Sequence, residues 1–168
     1  MAGSRAPDVL VTISVLDRLI DHEPRERTVE EAMTRSQSVR ELKTALRRDL
    51  EWLLNSRRVA TAPDEGLVEL NRSVYVHGLP DFAGWSLNAP KDQIRMLRSL
   101  QVALKVFEPR LTKVNIVALE SKVVATRTLR FRIDGLLMMD PAPERVSFDT
   151  VLDLTNSNYL VQGDANAG

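Results

Sequence analysis

The sequence predicts an α+β fold in which N-terminal helices pack on a C-terminal antiparallel three-stranded meander, forming two layers. Apolar residues recur every three or four positions through the first part of the chain, and at alternate positions near its end. The segments Glu120–Thr126 and Asp140–Glu144 that separate the alternating runs are short enough to join antiparallel strands. Helices followed by strands are typical of a two-layer α+β domain.

A length of 168 residues, with 43% hydrophobic and 27% charged residues, suits one globular domain. We expect that domain to cover residues 14–161. Residues 1–13 and 162–168 are expected to be a flexible N-terminal segment and a flexible C-terminal tail, because these ends are rich in small and polar residues.

Three helices are predicted. A short one covers Ser14–Ile20 behind a Ser cap, and a long one begins at Ser38, which with Glu41 has the spacing of a capping box. The third covers Pro90–Phe107, where apolar residues line one face. Ser73–Val76 is predicted to be a short strand.

The three strands of the meander are predicted where residues alternate between apolar and polar. These runs are Val114–Ala118, Leu129–Gly135 and Val146–Leu154. Such a sheet has two edges with unpaired backbone groups, and we expect one edge to accept a strand from a partner.

Charge and cysteine content exclude several classes of function. Lys plus Arg equals Asp plus Glu at 23 each and the pI is about 6.8, which gives no broad electrostatic reason to expect a nucleic acid or an anionic membrane as partner. The absence of cysteine excludes disulfides, zinc–thiolate sites and a cysteine nucleophile. No run approaches the roughly 20 apolar residues that span a bilayer. We expect a cytoplasmic protein with no direct membrane insertion.

No pattern predicts a catalytic residue, a metal site or a cofactor. His22 and His77 lie far apart in predicted loops, without the spacing of metal ligands. Phosphate-binding and nucleophile-elbow motifs are missing from the sequence. A chain with 23 acidic residues offers many carboxylate pairs, so a pair suited to glycoside hydrolysis carries almost no specificity.

The segment Phe107–Leu111 falls where helix should change to strand. Pro109 has no N–H and disfavours helical geometry at Glu108, so it enforces the break. Glu108 and Arg110 then place two charges at the junction. Taken alone, this arrangement indicates a surface salt bridge worth about 0–1 kcal/mol.

Five stretches together resemble the TssE family of type VI secretion baseplate subunits, which is itself similar to a tail-baseplate wedge protein of contractile phages. They are Ser14–Leu19, Leu53–Arg57, Ser73–Asp81, Phe107–Leu111 and Leu129–Gly163. The Glu-Pro-Arg triplet is the most characteristic motif of that family.

The resemblance implies a structural baseplate component that binds the wedge proteins TssF, TssG and TssK around the spike. It also implies contact with the first ring of the sheath proteins TssB and TssC, and so a part in initiating sheath assembly. In this family the triplet is an assembly element, which assigns partner binding to Glu108, Pro109 and Arg110. We expect the charged pair to be partly exposed in the free chain and desolvated in the complex.

Two alternatives remain open. The family has been labelled lysozyme-like, which implies a peptidoglycan hydrolase (a muramidase), and a relative of the same domain class is a regulatory protein-binding module. The sequence shows no acid–nucleophile arrangement and no signal peptide that would bring the chain to cell-wall sugar. The run Met138–Glu144 favours the baseplate role over the regulatory one.

Overall fold

The computed structural model describes residues 11, 14–19, 34–82, 84–86, 89–119, 128–153 and 158–164. Three helices come first, followed by four strands. The helices are α1 (Val15–Leu19), α2 (Arg35–Asn55) and α3 (Pro90–Phe107), and the strands are β1 (Leu111–Leu119), β2 (Thr128–Leu137), β3 (Glu144–Asp153) and β4 (Asn158–Asp164).

The predicted α+β class, with helices followed by an antiparallel sheet, is confirmed, but the sheet has four strands where three were predicted. The strand order is β1-β2-β3-β4, and every neighbouring pair is antiparallel. The fourth strand was missed because only Tyr159 and Val161 supply its buried alternation before Gly163 interrupts it. Strand β4 includes residues 162–164, which had been expected to belong to the C-terminal tail.

Helix α2 begins three residues before the predicted start at Ser38. Its N-cap is Thr34, whose side chain accepts a hydrogen bond from the Gln37 N–H while the Gln37 side chain accepts one from the Thr34 N–H. The capping box therefore exists one turn earlier than predicted. Ser38 is buried inside the helix, where its hydroxyl bonds to the Arg35 carbonyl and to the N–H of Val11. Val11, in the segment expected to be flexible, is itself buried.

One hydrophobic core lies between the helices and the sheet. Helix α2 packs mainly on β4 and α3 packs mainly on β1, so the helices cover one face of the sheet. Phe131, Phe148, Leu46, Leu50 and Leu100 are among its almost fully buried side chains. These five side chains lie between the helix layer and the sheet, where the apolar faces of the predicted helices and strands were expected to meet.

The segment between α2 and α3 differs from the prediction. Ser73–Val76 is a 3-10 turn and not a strand, because the Ser73 hydroxyl accepts the Tyr75 N–H and caps the turn. Gly78 follows with φ of 96°, a conformation that favours glycine. A Cβ at this position would lie 2.3 Å from the Ser56 carbonyl oxygen. Glycine therefore lets Leu79 hydrogen-bond with the backbone that follows α2.

The outer face of the sheet is polar. Arg132 on β2 forms an ion pair with its cross-strand neighbour Asp149 on β3, and Asp134 accepts a hydrogen bond from Ser147. Among the described helices, none has the length and apolar character required to cross a bilayer.

Candidate functional site

The predicted break between helix and strand is a β-turn. The Glu108 N–H still bonds to the Leu104 carbonyl of α3, and the Glu108 carbonyl accepts the Leu111 N–H at 3.1 Å. Pro109 therefore occupies the second position of the turn, where its fixed φ is favourable. The Arg110 carbonyl accepts the Met138 N–H at 2.8 Å, which ties the turn to the end of β2.

The guanidinium of Arg110 donates two hydrogen bonds to the carboxylate of Glu108. Its Nε lies 2.6 Å from Oε1 and its Nη2 lies 2.6 Å from Oε2. This bidentate geometry is the strongest form of an arginine–carboxylate contact. Hydrogen bonding to Glu108, together with the charges of Glu108 and Asp49, raises the pKa of Arg110 above its ordinary value, against the opposing effect of burial.

The charged network continues from the turn onto the helices. Arg110 Nη2 also lies 2.6 Å from Asp49 Oδ2 on α2, and Asp49 Oδ1 accepts from Arg48 at 2.8 Å. Arg48 in turn lies 2.8 Å from Asp17 of α1. Acidic and basic groups thus alternate from Glu108 to Asp17. The network holds α1, α2 and the turn in a fixed arrangement.

The expectation that both members of the pair are partly exposed is wrong for Glu108. Its side chain is only 7% exposed, whereas that of Arg110 is 27% exposed. Glu108 is the C-cap residue of α3, its N–H still bonds to the Leu104 carbonyl, and both of its carboxylate oxygens are covered by the Arg110 guanidinium. Pro109 is exposed. The triplet therefore consists of a buried acid, an exposed proline and a partly exposed arginine.

Asp49 and Asp17 were not identified from the sequence. Asp49 sits within the predicted polar positions of a helix, where a charge ordinarily faces solvent. Only the tertiary structure brings it to Arg110, which is 61 positions away. His77, whose role the sequence left open, packs edge-on against Phe107 with ring centroids 5.0 Å apart. It therefore supports the residue just before the triplet.

Side chains of α2 cover part of the edge of β4. Asn55 donates from Nδ2 to the Tyr159 carbonyl and accepts the Tyr159 N–H at Oδ1, each at 2.9 Å. One amide thereby makes both bonds that a residue of an adjacent strand would make. Arg47 also donates to the Val161 carbonyl at 3.4 Å. Strand addition at this edge would have to displace both side chains.

The opposite edge, on β1, is more accessible. Gln101 of α3 donates to the Val114 carbonyl at 3.3 Å, so the backbone groups of Val114 point away from β2. The two-residue alternation of a strand gives Ile116 and Ala118 the same outward direction. Within the described part of the chain, no side chain bonds to the outward backbone groups of these two residues.

Two concave regions of the described surface do not resemble a sugar-binding cleft. One is a cavity of about 10 Å³ near Leu79 and Tyr159, far below the roughly 300 Å³ of the smallest typical ligand pockets. The other is a shallow notch of about 310 Å³ beside Trp52, and Glu51 is the one acid among its lining residues. A glycosidase needs two carboxyl groups at the bond it cleaves.

Two of the acidic residues in the stretches that resemble the family, Glu108 and Asp81, are already held by arginines. Both oxygens of Glu108 accept from Arg110, and Asp81 is paired with Arg57 at 2.8 Å. In the described ranges no group of three His, Asp or Glu residues is placed to hold a metal ion.

Comparison with known proteins gives one family match. No curated protein matches the chain. The model of the family described as baseplate wedge protein gp25 matches residues 40–142, which is more than half of the 168 residues. The matched region includes most of α2, all of α3 and the Glu108–Arg110 turn. The chain therefore belongs to the baseplate wedge protein gp25 family, a family of structural baseplate components.

Proposed function

We propose that this protein is a TssE-type subunit of a type VI secretion baseplate and acts in the cytoplasm by binding protein partners. The observation that carries the proposal is the family match, which spans the turn with the Glu-Pro-Arg triplet, one of the stretches through which the chain resembles TssE. Its partners would be the wedge proteins TssF, TssG and TssK, arranged around the spike. Through TssB and TssC it would help to initiate the sheath.

Partner binding at the triplet would use its exposed part. Pro109 and the outer side of the Arg110 guanidinium are accessible, while Glu108 and Asp49 hold that guanidinium in place from beneath. A side chain held in one rotamer loses less entropy on binding than a free one. The buried acid is thus a positioning residue for the contact.

A second contact would form at the edge of β1. An extended segment of a sheath subunit could add there as a fifth strand, pairing with the outward groups of Ile116 and Ala118. The β4 edge is less suited, because Asn55 and Arg47 already occupy its carbonyl and N–H groups. Strand addition at β1 would set the register of the first sheath ring.

Ala118→Pro tests the contact at the β1 edge without disturbing the core. Ala118→Pro removes an outward N–H, and Pro is tolerated on an edge strand when its missing N–H faces solvent. Ala118→Ser keeps the N–H and is the matched control. We expect the proline variant to fold and to join the wedge but to start no sheath, whereas the serine variant behaves as wild type. Normal sheaths in the proline variant would exclude this edge.

Pro109→Glu tests the triplet. The residue is exposed and makes none of the ion pairs, so the variant should fold, with a melting temperature lowered by no more than about 4 °C through the loss of the fixed proline φ. We expect it to lose co-purification with one or more wedge proteins. Undiminished recovery of TssF, TssG and TssK would remove the triplet from the interface.

A peptidoglycan hydrolase is the alternative from a different class. Glu108 and Asp81 are engaged in ion pairs and Glu51 is the one acid that lines the notch, and neither arrangement supports it. Incubation of the purified chain with peptidoglycan should release no reducing ends. Release that disappears when one carboxylate is replaced would establish an enzyme instead.

A further inference from the structure

The solvent side of α3 carries a regular arrangement of cationic and aliphatic side chains. Five exposed residues form a surface that we call the basic face of α3. They are Lys91, Ile94, Arg98, Val102 and Lys105. At about 100° per residue they fall within an arc of about 80°. The opposite side of the helix is buried in the core. Ile94 and Val102 are nevertheless 53% and 63% exposed.

The positive charge on this face is not compensated locally. Within the described part of the chain, Lys91, Arg98 and Lys105 form no ion pair. Asp92, the one acid inside α3, lies outside the arc and accepts a hydrogen bond from the Ser86 N–H at 3.1 Å. A chain with zero net charge thus has a local excess of three cations along one helix. Such an excess attracts an acidic surface.

The spacing of the face matches a helix as its partner. The three cations stand seven residues apart, close to two helical turns, and Ile94 and Val102 lie between them, so the five side chains form one stripe that a second helix can follow. From Lys91 to Lys105 the face extends about 21 Å, or about four turns. A second copy of the same face would bring cations against cations, so self-pairing is disfavoured.

A nucleic acid fits this surface less well. Ile94 and Val102 interrupt the row of cations and can make no hydrogen bond to phosphate. None of the five residues is aromatic, so the face offers no platform on which bases could stack. Aliphatic side chains do match the apolar seam of an amphipathic helix.

We propose that the basic face of α3 is a docking surface for an amphipathic helix of another protein, one that carries Asp or Glu at about every seventh position beside aliphatic residues. The acids would pair with Lys91, Arg98 and Lys105 while the aliphatic residues cover Ile94 and Val102. This contact is separate from the β1 edge and from the triplet, and it does not depend on the role proposed above.

The probe is a synthetic peptide of about five helical turns with Glu at every seventh position and Leu beside it. A second peptide has Lys in place of each Glu. Binding to the full chain is measured by fluorescence anisotropy at low salt and at about 150 mM salt. The test variant combines Lys91→Glu, Arg98→Glu and Lys105→Glu. The matched control reverses three exposed arginines elsewhere, Arg40→Glu, Arg58→Glu and Arg72→Glu, and so changes the net charge equally.

We expect wild type and the control to bind the Glu peptide, with affinity falling as salt rises. The test variant should bind it at least about tenfold more weakly and should bind the Lys peptide instead. Thermal unfolding of both variants checks that they fold. No binding by wild type, or an equal loss in the control, would overturn the proposal. Tighter binding of a DNA duplex than of the Glu peptide, lost in the test variant, would also overturn it and indicate a nucleic-acid surface.

Discussion

Arg110→Ala should destabilise the monomer, because Glu108 would remain buried without a counter-charge. The substitution removes three hydrogen bonds of 2.6 Å, two to Glu108 and one to Asp49. Breaking a buried ion pair by removing one partner costs about 3–5 kcal/mol. Since the Arg110 side chain is 27% exposed, we expect a cost at the lower end of this range. The free energy of unfolding should fall by about 3 kcal/mol.

Urea denaturation followed by circular dichroism measures this loss directly. In a separate thermal unfolding experiment, the melting temperature of a domain of this size should fall by about 6–12 °C. Arg110→Met keeps most of the aliphatic stem and separates lost packing from lost charge. Arg132→Ala is the matched control, because it removes an arginine–carboxylate pair whose side chains are 40% and 35% exposed. Because this pair faces solvent, its loss should change the stability little.

A double substitution tests the mechanism. If the cost arises from an uncompensated carboxylate, then adding Glu108→Gln to Arg110→Ala should recover at least about 1 kcal/mol. A loss no larger than that of Arg132→Ala, or no recovery in the double variant, would refute the inference from burial. Either result would mean that Glu108 is hydrated in solution.

Three further predictions concern the frame around the triplet. Gly78→Ala should cost at least about 3 kcal/mol, since a Cβ would lie 2.3 Å from a backbone oxygen at positive φ, whereas Gly84→Ala, with no atom within 4 Å, should change urea stability little. Tyr159→Phe should leave stability unchanged or raise it by about 1 kcal/mol in thermal unfolding, because the buried hydroxyl has no hydrogen-bond partner among the described residues; a clear loss would reveal a partner. Although burial opposes ionisation, hydrogen bonds from Ser14 and Arg48 lower the pKa of Asp17 below its ordinary value of 3.8. The stabilising contribution of ionised Asp17 is therefore complete above pH 3.8 and is lost as the pH falls through its lower folded pKa. The urea stabilities of wild type and Asp17→Asn should then converge at acid pH, and a persistent difference would contradict this prediction.

Elements with a strong period were predictable. Helix α3 lies at Pro90–Phe107 as predicted, because a Pro at its first position and a Pro just after its end mark both limits. The first two predicted strands each lie within an observed strand, and the third matches β3 up to Asp153, while Leu154 lies outside the described residues. These are cases in which local pattern and tertiary packing agree.

Features that depend on competing local signals were not predictable. Thr34 and Ser38 both begin capping-box patterns, and only packing shows that Ser38 is buried and Thr34 is the cap. Ser73–Val76 has the β-branched residues of a strand, but the Ser73 hydroxyl caps a turn instead. Strand β4 has too few alternating residues to stand out from a polar tail.

At the candidate site, sequence reasoning located the junction but not its environment. The break between helix and strand was predicted from Pro109, and the role of the Glu-Pro-Arg triplet was inferred from the family resemblance. Glu108 is buried beneath Arg110, and Arg110 also binds Asp49, which no local spacing connects with the triplet. Long-range ion pairs of this kind leave no periodic trace in a sequence.

Recovery of partners by the tagged full chain from cell extract tests the central claim most directly. We predict that TssF, TssG and TssK co-purify with wild type and with Ala118→Ser, and that Pro109→Glu reduces their recovery although its melting temperature falls by no more than about 4 °C. Mass spectrometry of the eluate identifies the proteins without assuming which ones bind. Recovery of the folded chain with no baseplate protein, in cells that produce those proteins, would contradict the proposed role.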